Sequence, residues 1–150
     1  MWLKTCLESH GSICRAQLSK LPFRLLDTGH ANTSIISIHI SKDEFGECLA
    51  LSHCWGNCTQ TSLTKEANIS ARRNGFPLST IPKSFRDAVM ITRTLGYRYL
   101  WIDCLCILQD FDKDWRKEFV NMAEIYANSV LTICADAAAG PIRIYLIAQT

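Results

Sequence analysis

The chain has 150 residues, is 48% hydrophobic and carries a formal net charge of +2, which predicts one compact domain with an adequate core. This small charge, without a long basic run, excludes the electrostatic pattern of a nucleic-acid-binding protein. No apolar stretch has the length that crosses a bilayer, and residues 1–15 lack the apolar core of a secretory signal, so we expect a cytoplasmic protein without a membrane partner.

An irregular N-terminal arm is predicted over residues 1–30. Residues 2–18 are typical of a short helix that breaks at Gly11. Pro22 then favours an extended lead-in over residues 21–27, because the residue before a proline disfavours helix.

Three residues of metal-ligand type recur in this arm at every fourth position, namely Cys6, His10 and Cys14. Structural zinc sites normally take four ligands in paired short spacings, and Cys54 and Cys58 supply a second pair only if the fold brings them close. Packing along one helix face is therefore the favoured interpretation, and we predict no metal site. Most of the eight cysteines are interpreted as reduced, buried thiols, since a chain this apolar needs no disulfides.

The domain itself is predicted over residues 31–139. Residues 35–40 alternate apolar with polar side chains, as a half-buried or edge strand does, and residues 48–54 form the next strand. Residues 57–79 are polar and without clear periodicity, which indicates a long loop with a helical turn or two. Long loops in compact domains are often functional.

A helix is predicted after Pro82, with a proline in its first turn and Gly96 at its C-terminal cap. Its apolar stripe consists of Phe85, Ala88, Val89, Thr92 and Leu95. The helix leads into a continuous apolar run over residues 99–107, which predicts a central strand covered on both faces. Asp103 interrupts that run, so we place it near the end of the strand, facing a polar cleft. A structural Asp that accepts backbone hydrogen bonds is an equal alternative.

A second helix is predicted from Asp114, the expected N-cap. Its apolar face is formed by Trp115, Phe119, Met122 and Tyr126. Glu118 lies on the flank of this face, near enough to the helix start for the macrodipole to favour its charged form. An ordinary first-turn Glu is the competing interpretation, and it has the larger weight on pattern alone.

A further buried strand is predicted over residues 130–135, so strands and helices alternate from residue 48 onward. This alternation predicts an α/β fold with a mostly parallel sheet and helices on both faces. Ligands of such sheets bind beyond the carboxyl ends of the strands. The polar and aromatic residues at those ends are Ser52, His53, Trp55, Gly56, Asp103, Gln109 and Asp136.

Four separate motifs, in order, resemble the fungal heterokaryon incompatibility (HET) domain. They are LSHCWG at 51–56, IPKSFRDA at 81–88, LWID at 100–103 followed by CILQ at 106–109, and DWxxE at 114–118 followed by Met122 and IY at 125–126. The resemblance has its motif core at residues 48–138. It implies a role in fungal non-self recognition, in which the domain triggers programmed cell death after incompatible hyphae fuse.

The chain departs from this pattern at three places. His53 stands where the family more often has Tyr, and Cys104 stands where it often has Ser. Residues 140–150 do not follow the family's usual continuation and are interpreted as an atypical, truncated tail. An inactive remnant of the domain is therefore one alternative.

HET domains are distantly similar to TIR domains, which are flavodoxin-like modules, and some TIR domains cleave the nicotinamide–ribose bond of NAD with a helix-borne Glu. The resemblance thus implies a flavodoxin/TIR-like sheet, no resident cofactor, and NAD as a candidate substrate. It assigns the catalytic role to Glu118, with Asp103 as a second carboxylate. The implied ligand-binding residues are Ser52, His53, Trp55, Gly56, Gln109 and Trp115.

Two functions of different class remain open at this stage. One is a death-signalling module that associates with itself or with other death-signalling proteins, and the other is a hydrolase that consumes NAD. Trp101 and Trp115 have packing in the core as a competing interpretation. A nucleophile–base pair of Cys54 and His53 is discarded, because adjacent strand residues point to opposite faces.

Overall fold

The structure, a computed structural model, describes residues 18–54, 62–136 and 143–148, together with Thr5 and Glu8. The helix predicted over residues 2–18 lies almost wholly outside this part. The strands are β1 (Ser19–Lys20), β2 (Arg24–Asp27), β3 (Ile35–Ile40), β4 (Phe45–Gly46), β5 (Cys48–His53), β6 (Phe76–Pro77), β7 (Tyr99–Trp101), β8 (Leu131–Asp136) and β9 (Arg143–Ala148). The helices are α1 (Glu66–Asn74), α2 (Lys83–Thr94), α3 (Asp103–Cys106) and α4 (Asp112–Asn128), with a 3₁₀ turn at Leu78–Thr80.

Seven of the described strands form one mixed sheet, in the order β6-β3-β2-β7-β5-β8-β9. The predicted α/β fold is confirmed, but a mostly parallel sheet is not observed. Among the described strands, only the β5–β7 and β5–β8 pairings are parallel, and the other four pairings of this sheet are antiparallel. The reason is that the lead-in strand β2 enters the sheet beside β7, in the opposite direction, and brings β3 and β6 with it.

The parallel core alternates as predicted, in the order β5, α2, β7, α4 and β8. The predicted stripe of α2 is confirmed, since Phe85, Ala88, Val89 and Thr92 are all buried. Gly96 follows the helix with φ of 85°, a conformation that glycine adopts without strain. Burial of each large apolar side chain in this core contributes roughly 1.5–3 kcal/mol relative to exposure.

The strand predicted over residues 99–107 is much shorter than expected. It ends at Trp101, and Asp103 begins the single-turn helix α3. All four residues of α3 are buried, so the apolar composition reflects a buried helical turn, which periodicity cannot distinguish from a buried strand over so short a run. Asp103 nevertheless lies just beyond the end of β7, as predicted.

Helix α4 differs from prediction in its start and in the face that it buries. It begins at Asp112, and the N-cap position is occupied by Phe111 rather than by Asp114. Its buried residues are Glu118 and Ile125, whereas Trp115 and Phe119 are exposed. The helix is rotated so that Asp114 reaches the buried guanidinium of Arg24 on β2.

Two further segments carry regular structure. Helix α1 occupies nine residues of the predicted long loop, in which a helical turn or two was expected. Strand β9, within the segment predicted as an atypical tail, pairs with β8 along six positions. Among the described residues, no helix combines the length and the apolar character needed to cross a bilayer.

Candidate functional site

The carboxyl ends of β5 and β7 bring together three side chains of chemical interest. Because the two strands are parallel neighbours, with Ala50 beside Trp101, the residues after each strand meet at one edge of the sheet. His53 Nε2 lies 3.3 Å from Cys104 Sγ, and His53 Nδ1 lies 3.6 Å from Asp103 Oδ1. The imidazole thus stands between a thiol and a carboxylate. We call these three residues the edge cluster.

The edge cluster is almost completely shielded from water. Cys104 is fully buried, and the side chains of His53 and Asp103 are 5% and 10% exposed. Burial lowers the pKa of His53, while the Asp103 carboxylate acts in the opposite direction. The neutral imidazole is therefore favoured, and neutral imidazole is the form that accepts a proton from a thiol or coordinates a metal.

Neighbouring groups hold the cluster in place. The rings of Phe85 and His53 pack in a T-shaped arrangement with centroids 4.8 Å apart. Asp103 Oδ1 accepts the backbone N–H of Cys104 at 2.7 Å. The side-chain amide of Gln109 donates to the carbonyl oxygens of Asp103 and Ile107. Gln109 thus supports the backbone around the cluster.

A loop before α1 closes one side of α3. The Thr64 N–H donates to the Cys104 carbonyl, and the Thr64 hydroxyl donates to the Leu105 carbonyl at 2.7 Å. The guanidinium of Arg72, which is buried, donates to the Thr64 hydroxyl and to the Ser62 carbonyl. These bonds fix α3, and through it Asp103 and Cys104, against α1.

Tyr126 of α4 contacts the two strands, β5 and β7, that lead into the cluster. Its hydroxyl donates to the Leu51 carbonyl at 3.2 Å, and its ring packs edge-on against Trp101. Burial raises the pKa of Tyr126, and the acidic groups of Asp103, Cys134 and Cys104 raise it further. The hydroxyl therefore stays protonated and serves as a hydrogen-bond donor.

Glu118 lines a separate cavity of about 290 Å³ between α4 and the lead-in. The cavity is lined by Ser19, Lys20, Leu21, Pro22, Phe23, Ser41, Asp43, Cys48, Lys117, Glu118, Asn121, Glu124, Ile125 and Asn128. Its volume is near the lower limit of roughly 300–1,000 Å³ for small-molecule pockets. The cavity is lined by none of the edge-cluster residues.

The environment of Glu118 is unusual for a carboxylate. The residue is 2% exposed, and its Oε1 atom has no hydrogen-bond partner within the described part of the chain. Burial raises the pKa of Glu118; Arg24 opposes the rise, Asp114 adds to it, and Lys117 opposes it. Perturbed, buried carboxylates next to cavities are common at functional sites.

The structure brings together only some of the predicted site residues. His53, Asp103 and Gln109 meet at the sheet edge, while Ser52 is exposed at the end of β5. Glu118 lines the separate cavity, and Trp115 is on the surface, stacked on Phe119. Trp55 and Gly56 lie outside the described residues, as do Cys6, His10, Cys14 and Cys58. The roles assigned to all these residues remain predictions.

Sequence reasoning did not identify Cys104, Tyr126 or Arg24 as parts of a site. Cys104 was interpreted as one of several core thiols, and its contact with His53 spans 51 positions of sequence. One feature of the sequence could have indicated the pair, because both His53 and Cys104 differ from the residues that the HET motifs usually have at these positions. Arg24 gave a signal of its own, since a lone arginine in an apolar strand needs a buried partner.

Comparison with known families gives one match. The family model described as "Heterokaryon incompatibility protein (HET)" matches residues 49–145, a range that includes both the edge cluster and Glu118. No curated protein and no solved structure matches the chain.

Proposed function

Because the chain belongs to the heterokaryon incompatibility (HET) family, we propose that it acts in fungal non-self recognition and triggers programmed cell death when incompatible hyphae fuse. The observation that carries this proposal is the family match over residues 49–145. The matched range begins in β5 and ends in β9, so it includes the parallel core of the sheet with α2 and α4.

Inducible expression of the chain in fungal cells tests this function directly. We expect loss of viability after induction, because the domain acts as the death-triggering module. Survival of cells that accumulate folded protein would contradict the proposal.

The outer face of α4 supports a mechanism by assembly. Phe111, Trp115 and Phe119 recur every fourth residue, so they share one face of the helix. They are 40%, 39% and 53% exposed, and the Trp115 and Phe119 rings stack with centroids 4.8 Å apart. We call these three residues the aromatic row. In our proposal a second copy of the chain covers the aromatic row when the protein signals.

Two charge substitutions in the aromatic row test assembly. We expect the unmodified protein to show concentration-dependent association in sedimentation velocity, and Trp115→Lys/Phe119→Lys to remain monomeric and to stop killing. Val120→Lys is the matched control, since Val120 is 79% exposed and lies outside the row on the same helix. A monomeric parent protein, or equal effects of both changes, would refute assembly through this surface.

NAD cleavage is the second candidate function, and Glu118 is the observation that favours it. Loss of nicotinamide from NAD develops oxocarbenium character on the ribose, which a nearby carboxylate stabilises. Glu118 combines burial with a position in a cavity wall, and its Oε1 is free of hydrogen bonds from described residues. In this candidate mechanism Glu118 acts without Asp103, which belongs to the edge cluster.

Measurement of the cellular NAD concentration distinguishes the hydrolase from the assembly module. If the domain is a hydrolase, NAD falls on induction, and Glu118→Gln abolishes both the fall and the killing. Glu124→Gln is the matched control, because Glu124 is exposed and lines the same cavity. Killing with unchanged NAD would remove the hydrolase and leave the assembly module.

A further inference from the structure

We propose that His53, Asp103 and Cys104 form a binding site for a thiophilic divalent cation, with Zn²⁺ as the best-matched ion. This site is independent of the function proposed above. It contrasts with the sequence-based expectation that the protein holds no metal, which concerned Cys6, His10 and Cys14 of the N-terminal arm with Cys54 and Cys58 as a second pair.

The donor set has the chemistry that zinc prefers. One imidazole nitrogen, one carboxylate oxygen and one thiolate sulfur are its three usual protein ligand types, and soft thiolate ligands select zinc over calcium or magnesium. The three donor atoms of the edge cluster all lie within 4.8 Å of one another. His53 comes from the end of β5, and Asp103 and Cys104 come from α3, so the fold supplies the ligands from two elements.

Each of the two neighbouring donor pairs of His53 has the spacing found in a tetrahedral zinc site, although the two pairs use different ring nitrogens. Zinc bonds of about 2.0–2.3 Å place neighbouring ligands about 3.3–3.8 Å apart. The Cys104 Sγ to His53 Nε2 distance is 3.3 Å, and the Asp103 Oδ1 to His53 Nδ1 distance is 3.6 Å. One donor atom from each residue lies within 4.8 Å of the other two. Because only one ring nitrogen coordinates, binding requires a rotation of the His53 or Asp103 side chain that shortens the longest of these distances.

Burial and charge also fit a cation. The side chains lie in a nearly dry part of the fold, where an anionic carboxylate and a thiolate attract a divalent ion strongly. Three protein ligands leave one coordination position open, which is the arrangement of catalytic rather than structural zinc sites.

Titration of the chelator-treated 150-residue chain with Co²⁺ tests the site, because cobalt reports a bound thiolate through a near-ultraviolet charge-transfer band. We expect one equivalent of Co²⁺ to produce this band, and Zn²⁺ to displace it and to raise the melting temperature. Absence of the band, or binding without it, would overturn the proposal.

Variants then identify the ligands. Cys104→Ser and His53→Phe should abolish the band, whereas Cys54→Ser should retain it, since Cys54 is exposed beside His53 and is not part of the cluster. Cys6→Ser/Cys14→Ser should also retain it. A band that persists in Cys104→Ser, or one that disappears in Cys6→Ser/Cys14→Ser, would refute the assigned ligands.

Asp103→Asn provides an independent variant in case the other two substitutions impair folding. It keeps an oxygen that accepts the Cys104 N–H but removes the anionic ligand. We expect the affinity for Zn²⁺ to fall at least 10-fold. Removal of a carboxylate that only hydrogen-bonds a metal ligand already lowers metal affinity about 10-fold to 100-fold. Unchanged affinity in a variant whose circular dichroism matches that of the parent would contradict the role of Asp103.

Discussion

Replacement of Asp114 by alanine should destabilise the fold strongly, because it leaves a buried positive charge unpaired. Arg24 and Asp114 form an ion pair whose side chains are 5% and 11% exposed. Asp114 Oδ2 also accepts the Leu108 N–H at 2.9 Å, and Arg24 Nε donates to the Cys106 carbonyl at 2.7 Å. The pair therefore links β2, α4 and the segment that follows α3.

The magnitude follows from this burial. Removal of one partner of a buried ion pair costs about 3–5 kcal/mol, a large part of the roughly 5–15 kcal/mol that stabilises a domain. With a denaturant slope of about 2 kcal/mol/M, the urea midpoint of Asp114→Ala should fall by about 1.5–2.5 M.

Asp112→Ala is the matched control, since Asp112 is also an acidic residue in the first turn of α4. Its ion pair with Arg116 is 2.9 Å long, but the two side chains are 74% and 75% exposed. Such surface pairs contribute about 0–1 kcal/mol. Urea unfolding followed by circular dichroism should therefore show a small change for Asp112→Ala and a large one for Asp114→Ala.

A double variant separates the unpaired charge from lost packing. Arg24→Met/Asp114→Leu removes both charges and keeps comparable volume, so it should be more stable than Asp114→Ala by at least about 1 kcal/mol. If Asp114→Ala and Asp112→Ala cost the same, or if the double variant is no better than Asp114→Ala, the reasoning from burial is wrong.

Two further predictions concern Glu118 and the glycines. Burial raises the pKa of Glu118 in the folded state, so the folded state holds the proton more tightly than the unfolded state does. The free energy of unfolding should therefore fall as pH rises from about 4.3, the ordinary Glu pKa, through the raised pKa of the folded state. Glu118→Gln should remove this loss, so the difference in unfolding free energy between the variant and the parent should increase from pH 4 to pH 7 in urea titrations. If that difference is the same at all pH values, the prediction is wrong. Gly75→Ala should destabilise the protein by about 1–3 kcal/mol in thermal unfolding, and by more than Gly96→Ala. Both glycines have a positive φ, 119° and 85°, but an added Cβ at Gly75 would lie 2.9 Å from Ile35, whereas the space at Gly96 is open. Equal costs would show that this contact is relieved without strain.

Local patterns predicted the elements that depend on local chemistry. The period-two alternation of β3 and the apolar stripe of α2 both identify real elements, with Gly96 at the helix end. The prediction that His53 and Asp103 lie at the carboxyl ends of strands also agrees with the structure, which places them side by side because β5 and β7 are parallel neighbours.

The orientation of α4 could not be predicted in this way. The apolar spacing of Trp115 and Phe119 favoured them as the buried face, but the structure buries Glu118 instead. The observed rotation pairs the Asp114 carboxylate with the buried guanidinium of Arg24, 90 positions away in sequence, and a buried charge without such a partner is costly. No pattern within α4 carries that information.

The sequence by itself therefore determined the family, the alternation of strands and helices, and the edge of the sheet at which polar side chains gather. Tertiary structure alone decided that β2 joins the sheet antiparallel to β7, that Glu118 and Asp103 lie in different sites, and that His53 meets Cys104. The physical reason is range: propensity, capping and periodicity act over a few residues, whereas strand order, helix rotation and the pairing of buried charges are fixed by contacts between segments far apart in the chain.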